Sequence, residues 1–381
     1  VREFERQKQV EFNISSSDHV GEALATYGRI ELPRADKSGK WSTDESELLR
    51  LAPDNPLVRS VLEYREAQKQ ISTYLDAVIR YCEENVDGRL HPQYTTMHVA
   101  TTRLSSEEPN IQNFPKRRHR ELRSQIVAPH GHVLAAFDMK QLEARVYGMA
   151  SRDRALCGSI ISGEDIHQYW LDKFLNRYPD YIEHLKQKTN EVEVAKAVKG
   201  GRDIIKTDFV FASLYGSIAK SCAERTGLPL VIVEEILDEF WKRYAGAKTW
   251  IREKRNIYKD TGSVSLLNGL IRHGYMGGNE TINTPIQGTG AVLVLAAQNA
   301  LSELSRKERE HYLHPRINIH DDLTFVLPDD ETIAAYIEVI AQEMVKVRFP
   351  WQTVPLAVEV KIGYNWAELE YVADFTGDYV R

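Results

Sequence analysis

Two apolar runs that finish on carboxylates, far apart in the chain, restrict this sequence more than any other feature. Residues 132–138 (His-Val-Leu-Ala-Ala-Phe-Asp) read as a buried strand ending in Asp138. Residues 316–319 and 323–327 read as two further strands around His320-Asp321-Asp322, a hairpin with two carboxylates at its tip. From Leu142 to about Lys259 the pattern is mostly helical, and another helix is expected over 285–304. A last strand is expected over 356–362. Strands on either side of a large helical insertion describe an α+β protein with a mainly antiparallel sheet.

The stretch up to about residue 85 reads as helices broken by a polar loop at 34–40. After that loop Leu57, Leu62, Ile71, Leu75 and Ile79 give a loose helical stripe. Residues 89–102 change to short segments rich in Thr, His and Val, which suggests strands. With 381 residues, two or three lobes are expected. A hydrophobic content of 42% and a charged content of 27% are those of a soluble globular chain, with no apolar run long enough for a membrane span. The start at Val1, without Met or an apolar leader core, reads as a cut or processed edge. Cys82, Cys157 and Cys222 share no ligand-like spacing, which argues against a zinc site or disulfide framework and for a reducing compartment.

A formal net charge of -6 argues at first against a nucleic-acid partner. Local charge matters more, because a basic channel is what neutralises phosphates. Lys116, Arg117, Arg118, Arg120 and Arg123 stand within nine residues against Glu121 alone, and 242–259 is also basic. A solvated helix face is the plainer reading of either run taken by itself.

Phosphoryl transfer to a hydroxyl needs two cations held close together and little covalent help from protein. Magnesium takes hard oxygen ligands, and one or two Asp carboxylates plus substrate phosphates suffice. Asp138 and Asp321, each at a strand end, suit that task. An Asp at a strand end is more often a turn former or helix cap, and His-Asp-Asp also fits a metal-dependent hydrolase.

The residues around these acids resemble the family A DNA polymerases, the bacterial polymerase I-like group, in order along almost the whole chain. Phe12–Ser16, Lys37-Ser38-Gly39-Lys40-Trp41-Ser42-Thr43, and Tyr64-Arg65-Glu66 with Ser72-Thr73-Tyr74 resemble its thumb segments. Thr102-Arg103-Leu104-Ser105-Ser106 with Pro109-Asn110-Ile111-Gln112-Asn113-Phe114-Pro115 is a specific signature. Asp138-Met-Lys-Gln-Leu-Glu-Ala-Arg145 resembles the first catalytic motif, 202–216 the fingers helix, and Asn283-Thr-Pro-Ile-Gln287-Gly-Thr289 the segment that follows. His320-Asp321-Asp322 resembles the second catalytic motif, and 355–363 with Trp366 the closing strand.

The resemblance implies that Asp138 and Asp321 hold two Mg²⁺ ions, with Asp322 where the family usually has Glu. It implies that His320 steadies the primer terminus. Glu143, with Gln141 beside it, stands at the sugar gate that selects deoxyribose, and Arg145 supports that Glu and the chain around it. Arg202 and Lys206 take the triphosphate, which suits two cations four residues apart on one helical face. From Lys206 to Tyr215 is nine steps, more than the family normally shows. An unbroken helix would place the two on opposite faces, and a single π-bulge would restore the facing. The aromatic ring on the incoming sugar is then Phe211, or Phe209 if the helix is unbroken. Arg103, Asn110, Gln112, Asn113, Asn283 and Gln287 suit minor-groove base edges. Lys40, Lys69, Ser72 and Thr73 suit duplex phosphates.

The implied architecture is a right hand. It has a truncated thumb over 1–88, a palm over 89–147 and 283–381 carrying the antiparallel sheet, and helical fingers over 148–282. Primer–template DNA, dNTPs and replication accessory proteins are the implied partners, without a membrane, in the cytoplasm of a bacterium or phage-infected cell. The rival readings are a phosphohydrolase built on His320-Asp321-Asp322, a non-catalytic DNA-binding scaffold, and an RNA-synthesising or reverse-transcribing variant, of which Glu143 disfavours the former only.

Overall fold

A computed structural model describes residues 1–34, 39–96, 98–116 and 119–380. The chain divides into two compact units, Val1–Pro92 and Gln93–Arg381.

The first unit is helical: Arg2–Lys8, Ser17–Glu22, Glu45–Leu51, Pro56–Lys69 and Asp76–Glu84, with π-helical turns at Ala23–Tyr27 and Gln70–Leu75. Local chemistry sets the starts. The Ser16 hydroxyl accepts the His19 N–H, and Pro56 opens its helix at a position where no N–H is needed. Val20, Leu24, Leu32, Leu48 and Val58 form a small core. Of the expected apolar stripe, Leu62 packs against it, partly buried, and the other four members do not. Leu57 is 59% exposed, Ile71 47%, Leu75 38% and Ile79 55%. The buried positions on these helices are Val58, Val61 and Tyr74 instead, one residue out of step with the stripe. In the loop at 34–40, Arg34 lies over the Trp41 ring at 3.4 Å, while Lys37 and Ser38 fall outside the described residues.

The second unit holds three sheets. Two are hairpins, β1 (Gln93–Thr95) with β2 (Ser105–Glu107), and β4 (Ser263–Ser265) with β5 (Ile271–His273). Among its described residues the segment 89–102 therefore supplies one short strand. The main sheet contains β3 (His132–Met139), β6 (Ile317–Ile319), β7 (Asp322–Pro328), β8 (Ala357–Gly363) and β9 (Glu370–Thr376), in the order β6-β7-β3-β8-β9. Every pairing in it is antiparallel, as expected. Alternation along β3 decides which side is which. Val133, Ala135, Phe137 and Met139 enter the large core with Leu323, Phe325, Val358 and Val360. Asp138 is left on the other face.

The core side is covered by helices that include Glu280–Glu308 and Ile333–Val345. The first begins five residues before the expected Pro285, which lies buried inside it. Only one ladder donor is lost there, so the helix continues. Seven longer helices fill 154–261, and Trp170, Phe174, Phe209, Phe240 and Tyr244 pack together at their centre. Strand β9 and the helix Ile333–Val345 were not expected. The first has an exposed, weakly alternating pattern, and the second lies among residues without a motif.

Candidate active site

The register of β3 against β7 sets Asp138 directly opposite Asp322, and the Met139 N–H donates to the Asp321 carbonyl at 3.0 Å. Three carboxylates from distant parts of the chain thus gather at one end of adjacent strands. Their electrostatics record the crowding. Burial, followed by the charge of Asp138, pushes Asp321 up to about 6 and Asp322 up to about 6. Asp322 accepts the Thr324 hydroxyl at 3.1 Å, and Lys116 Nζ stands 3.6 Å from Asp138 Oδ2. Lys116 belongs to the first basic run and pairs directly with one of these acids. Arg123 instead is buried, donating to the Phe114 carbonyl at 2.8 Å and covering Trp366 at 4.0 Å. Arg117 and Arg118 lie outside the described residues. Among the described residues no three His, Cys, Asp or Glu side chains converge as a ready-made metal cage. Clustered carboxylates that repel one another are nevertheless hard oxygen donors in need of a cation, which fits magnesium shared with substrate phosphates. His320 is exposed in the left-handed region (φ 59°) at the tip of the β6–β7 hairpin. Although the residue as a whole is exposed, the surrounding protein partly desolvates the ring, and this, followed by the charge of Arg103, holds its imidazole below the ordinary value.

Five residues after Asp138, Glu143 sits in the first turn of the helix Leu142–Ser151. Gln141, at φ 50°, makes the abrupt passage from strand to helix. Glu143 is held from two sides: Arg103 pairs with Oε1 at 3.1 Å and the Tyr215 hydroxyl donates to Oε2. Burial, then the neighbouring carboxylate, pushes the Tyr215 phenol far up, so it remains a donor. Arg145 does not touch Glu143. It donates to the Lys140 carbonyl at 2.7 Å and to that of Pro355, and thus braces the chain between β3 and β8. Burial lowers it to about 10.

The helix Val194–Ile205 runs straight into a π-helical turn, Lys206–Phe211, and then Ala212–Leu214. The surplus residue is absorbed there, by the π-bulge that was one of the two readings of the nine-step spacing. The π-turn also separates the two phenylalanines. Phe209 is fully buried among Trp170, Phe174 and Phe240, with no face left for a ligand. Phe211 is half-buried and its ring lies nearly parallel to Tyr215, 6.3 Å away. Arg202 and Lys206 are both half-exposed. Arg202 pairs with Asp165 at 2.7 Å; burial opposes ionisation of Asp165, but the Arg202 bond overrides it and keeps the acid low. No hydrogen bond or ion pair engages Lys206 among the described residues.

One residue here escaped the sequence reading. His167 is fully buried beside Phe211 (ring centroids 5.4 Å), and neither ring nitrogen has a partner. Burial, then the charges of Lys206 and Arg202, drives it down to about 3. Asp165 caps the helix Ile166–Arg177 by accepting the His167 and Gln168 N–H groups. The Glu-Asp-Ile-His capping pattern was the available signal.

The polar groups expected at base edges are partly committed within the protein. Gln112 donates to the Asn318 carbonyl at 3.2 Å, and Asn318 is itself held by Gln298 at 2.8 Å and the Tyr94 hydroxyl at 3.1 Å. Asn110 and Asn113 are exposed. Asn283 and Gln287 lie four apart on the helix Glu280–Glu308, and Asn283 Oδ1 is buried without a partner. In the first unit, Lys40 pairs with Asp18, and the Ser72 hydroxyl donates to the Gln68 carbonyl at 2.8 Å. Lys69 and Thr73 are exposed beside it.

The family model for DNA polymerase family A matches residues 2–368. The chain belongs to that family. DNA polymerase I of Chloroflexus aurantiacus is 30% identical over 95% of the chain and 38% of its own length. The thermostable DNA polymerase I of Thermus filiformis is 29% identical over 94% of the chain and 42% of its own. This family A chain therefore spans about two-fifths of the length of these curated relatives. The POL domain of Pol1 from M. smegmatis, solved with DNA primer-template and dNTP, superposes with a TM-score of 0.75 at 21% identity. It covers 96% of this chain and 63% of its own, a likeness of fold. Among the described residues, no helix is long and apolar enough to cross a membrane.

Proposed function

We propose that this chain is a template-directed DNA polymerase that adds dNTPs to a primer 3′-hydroxyl and releases pyrophosphate. The observation that carries the reading is the meeting of Asp138, Asp321 and Asp322 at one sheet end. Beside it stand a carboxylate clamped by Arg103 and Tyr215, and an unpaired lysine on the π-turned helix. In this reading 1–88 serves as thumb, 89–147 and 283–381 as palm, and 148–282 as fingers.

Asp138 and Asp321 would hold two Mg²⁺ ions, which supply activation of the primer hydroxyl and neutralisation of phosphate charge. Lys206 and Arg202, with His167 beneath them, receive the triphosphate. Lys206 acts as a point charge and Arg202 as a fork once it shares or leaves Asp165. Phe211 lies along the sugar. Glu143, fixed by two partners, fills the space a ribose 2′-hydroxyl would need. Arg103, Asn283 and Gln287 present donors to the acceptors that every base pair shows in the minor groove. Lys40, Lys69, Ser72 and Thr73 contact duplex phosphates. A cytoplasmic setting and accessory partners belong to the same reading.

Primer extension with Mg²⁺, comparing dNTP with rNTP on DNA and RNA templates, tests it. Asp321→Asn is expected to bind primer–template normally and extend nothing. Template-independent phosphate release from wild-type protein would favour the hydrolase reading instead.

A further inference from the structure

The basic run over 242–259 is left without a task by this chemistry. On the helix Ala245–Thr261, Lys248 and Lys254 lie over Trp241 and Trp250 at 6.0 and 5.9 Å, ordinary packing of long cations on rings. Arg255 behaves differently. Its side chain reaches the turn at Gly216, where φ is +90°, and a Cβ placed on that glycine would stand 2.2 Å from Nη2 and 3.2 Å from Cζ. The guanidinium is therefore flush against backbone. It lies within electrostatic reach of Tyr147, whose hydroxyl donates to the Leu214 carbonyl at 2.7 Å. Arg255 Nε is buried without a hydrogen bond, and no carboxylate pairs with the group among the described residues. Beside the same turn, Arg225 donates to the Ser217 hydroxyl at 3.1 Å and the Ser221 carbonyl at 3.2 Å, also without an acid. Placing one guanidinium there, partly desolvated and beside another, is unfavourable unless an anion completes the site.

The place in the fold says which anion. Ten residues separate Lys206 from Gly216, helical as far as Leu214 and then turning. With a triphosphate at Arg202 and Lys206 and a sugar on Phe211, the incoming base points toward Tyr215. Its partner base must approach that end, and the strand bearing it leaves past Gly216. We propose that Arg255, with Arg225 beside it, binds the template-strand phosphate on the 5′ side of the nucleotide being copied, as a guanidinium fork on a phosphodiester. The inference rests on the polymerase reading and deepens it, since it assigns a template subsite to a residue outside every motif described above.

The test uses the whole chain and two primer–templates with the same duplex. In one the template stops at the copied nucleotide; in the other it runs several nucleotides further. Arg255→Ala is expected to weaken binding and raise the KM for dNTP about tenfold on the long template and leave the short one unchanged. The slope of log affinity against log salt should fall by about one on the long template alone. A methylphosphonate at that linkage should produce the same loss with unaltered protein, and no further loss when combined with Arg255→Ala. Equal losses on both templates, additive losses, or none with the methylphosphonate would overturn the proposal. Wild-type protein that extends no primer sinks the polymerase reading. An extending enzyme indifferent to the overhang sinks only this subsite.

Discussion

Glu143 illustrates how much one side chain depends on its neighbours. Arg103 and Tyr215 each hold one of its oxygens, which fixes the carboxylate in place. Glu143→Ala is expected to raise the rNTP-to-dNTP incorporation ratio by about 10- to 200-fold, the usual range for removing a steric block of that size. An unchanged ratio in single-nucleotide extension would remove it from the gate. Phe211 has no hydroxyl to replace a missing sugar 3′-hydroxyl, so wild-type enzyme should discriminate against dideoxynucleotides. Phe211→Tyr should relax that discrimination, measured as chain termination in mixed dNTP and ddNTP. The positions of the acids and of Glu143 were legible because motifs preserve residue type and spacing. Their partners were not. That Tyr215 and Arg103 meet on one carboxylate depends on packing between segments, and Arg145 spends its donors on the Lys140 and Pro355 carbonyls, which no spacing reveals.

At the scale of elements, counting was informative at Lys206–Phe211: nine steps left an unbroken helix or a π-bulge open, and the helix contains a π-turn. Helical phase could also be misread. Of the stripe Leu57, Leu62, Ile71, Leu75 and Ile79, Leu62 packs on the core and the other four face out: Val58 and Val61 supply the inward side of the first helix, and Gln70–Leu75 is itself a π-turn. His167 makes its helix sensitive to acid. Its pKa is about 3 in the folded protein, below the ordinary 6.5, so the unfolded chain binds the extra proton first. Stability should therefore be intact above the ordinary value and fall as pH drops through the window between the two. The loss should reach about 2 kcal/mol by pH 5. Denaturant titration of His167→Gln beside wild type should show a shallower decline over that window; parallel curves would exonerate the histidine.

For the whole molecule, two units with separate cores should not melt together. The core built on Leu48, Val58 and Leu24 is small beside that of the second unit. Leu48→Ala is expected to destabilise the first unit by about 2–5 kcal/mol and leave the second transition in calorimetry where it was. One merged transition, shifted as a block, would show that the units unfold together. The α+β class and the antiparallel sheet were legible from strand runs on either side of a helical stretch. Strand β9, largely exposed, was not, nor were the three-residue strands β2, β4 and β5. Strand order carries its own consequence for biosynthesis. The central strand β3 finds its neighbours β7 and β8 only after the seven longer helices over 154–261 have been made. A ribosome that stalls anywhere within those helices releases a polypeptide holding Asp138 without Asp321 and Asp322, so on the proposed chemistry a half-made copy has only one of the carboxylates that would hold metal.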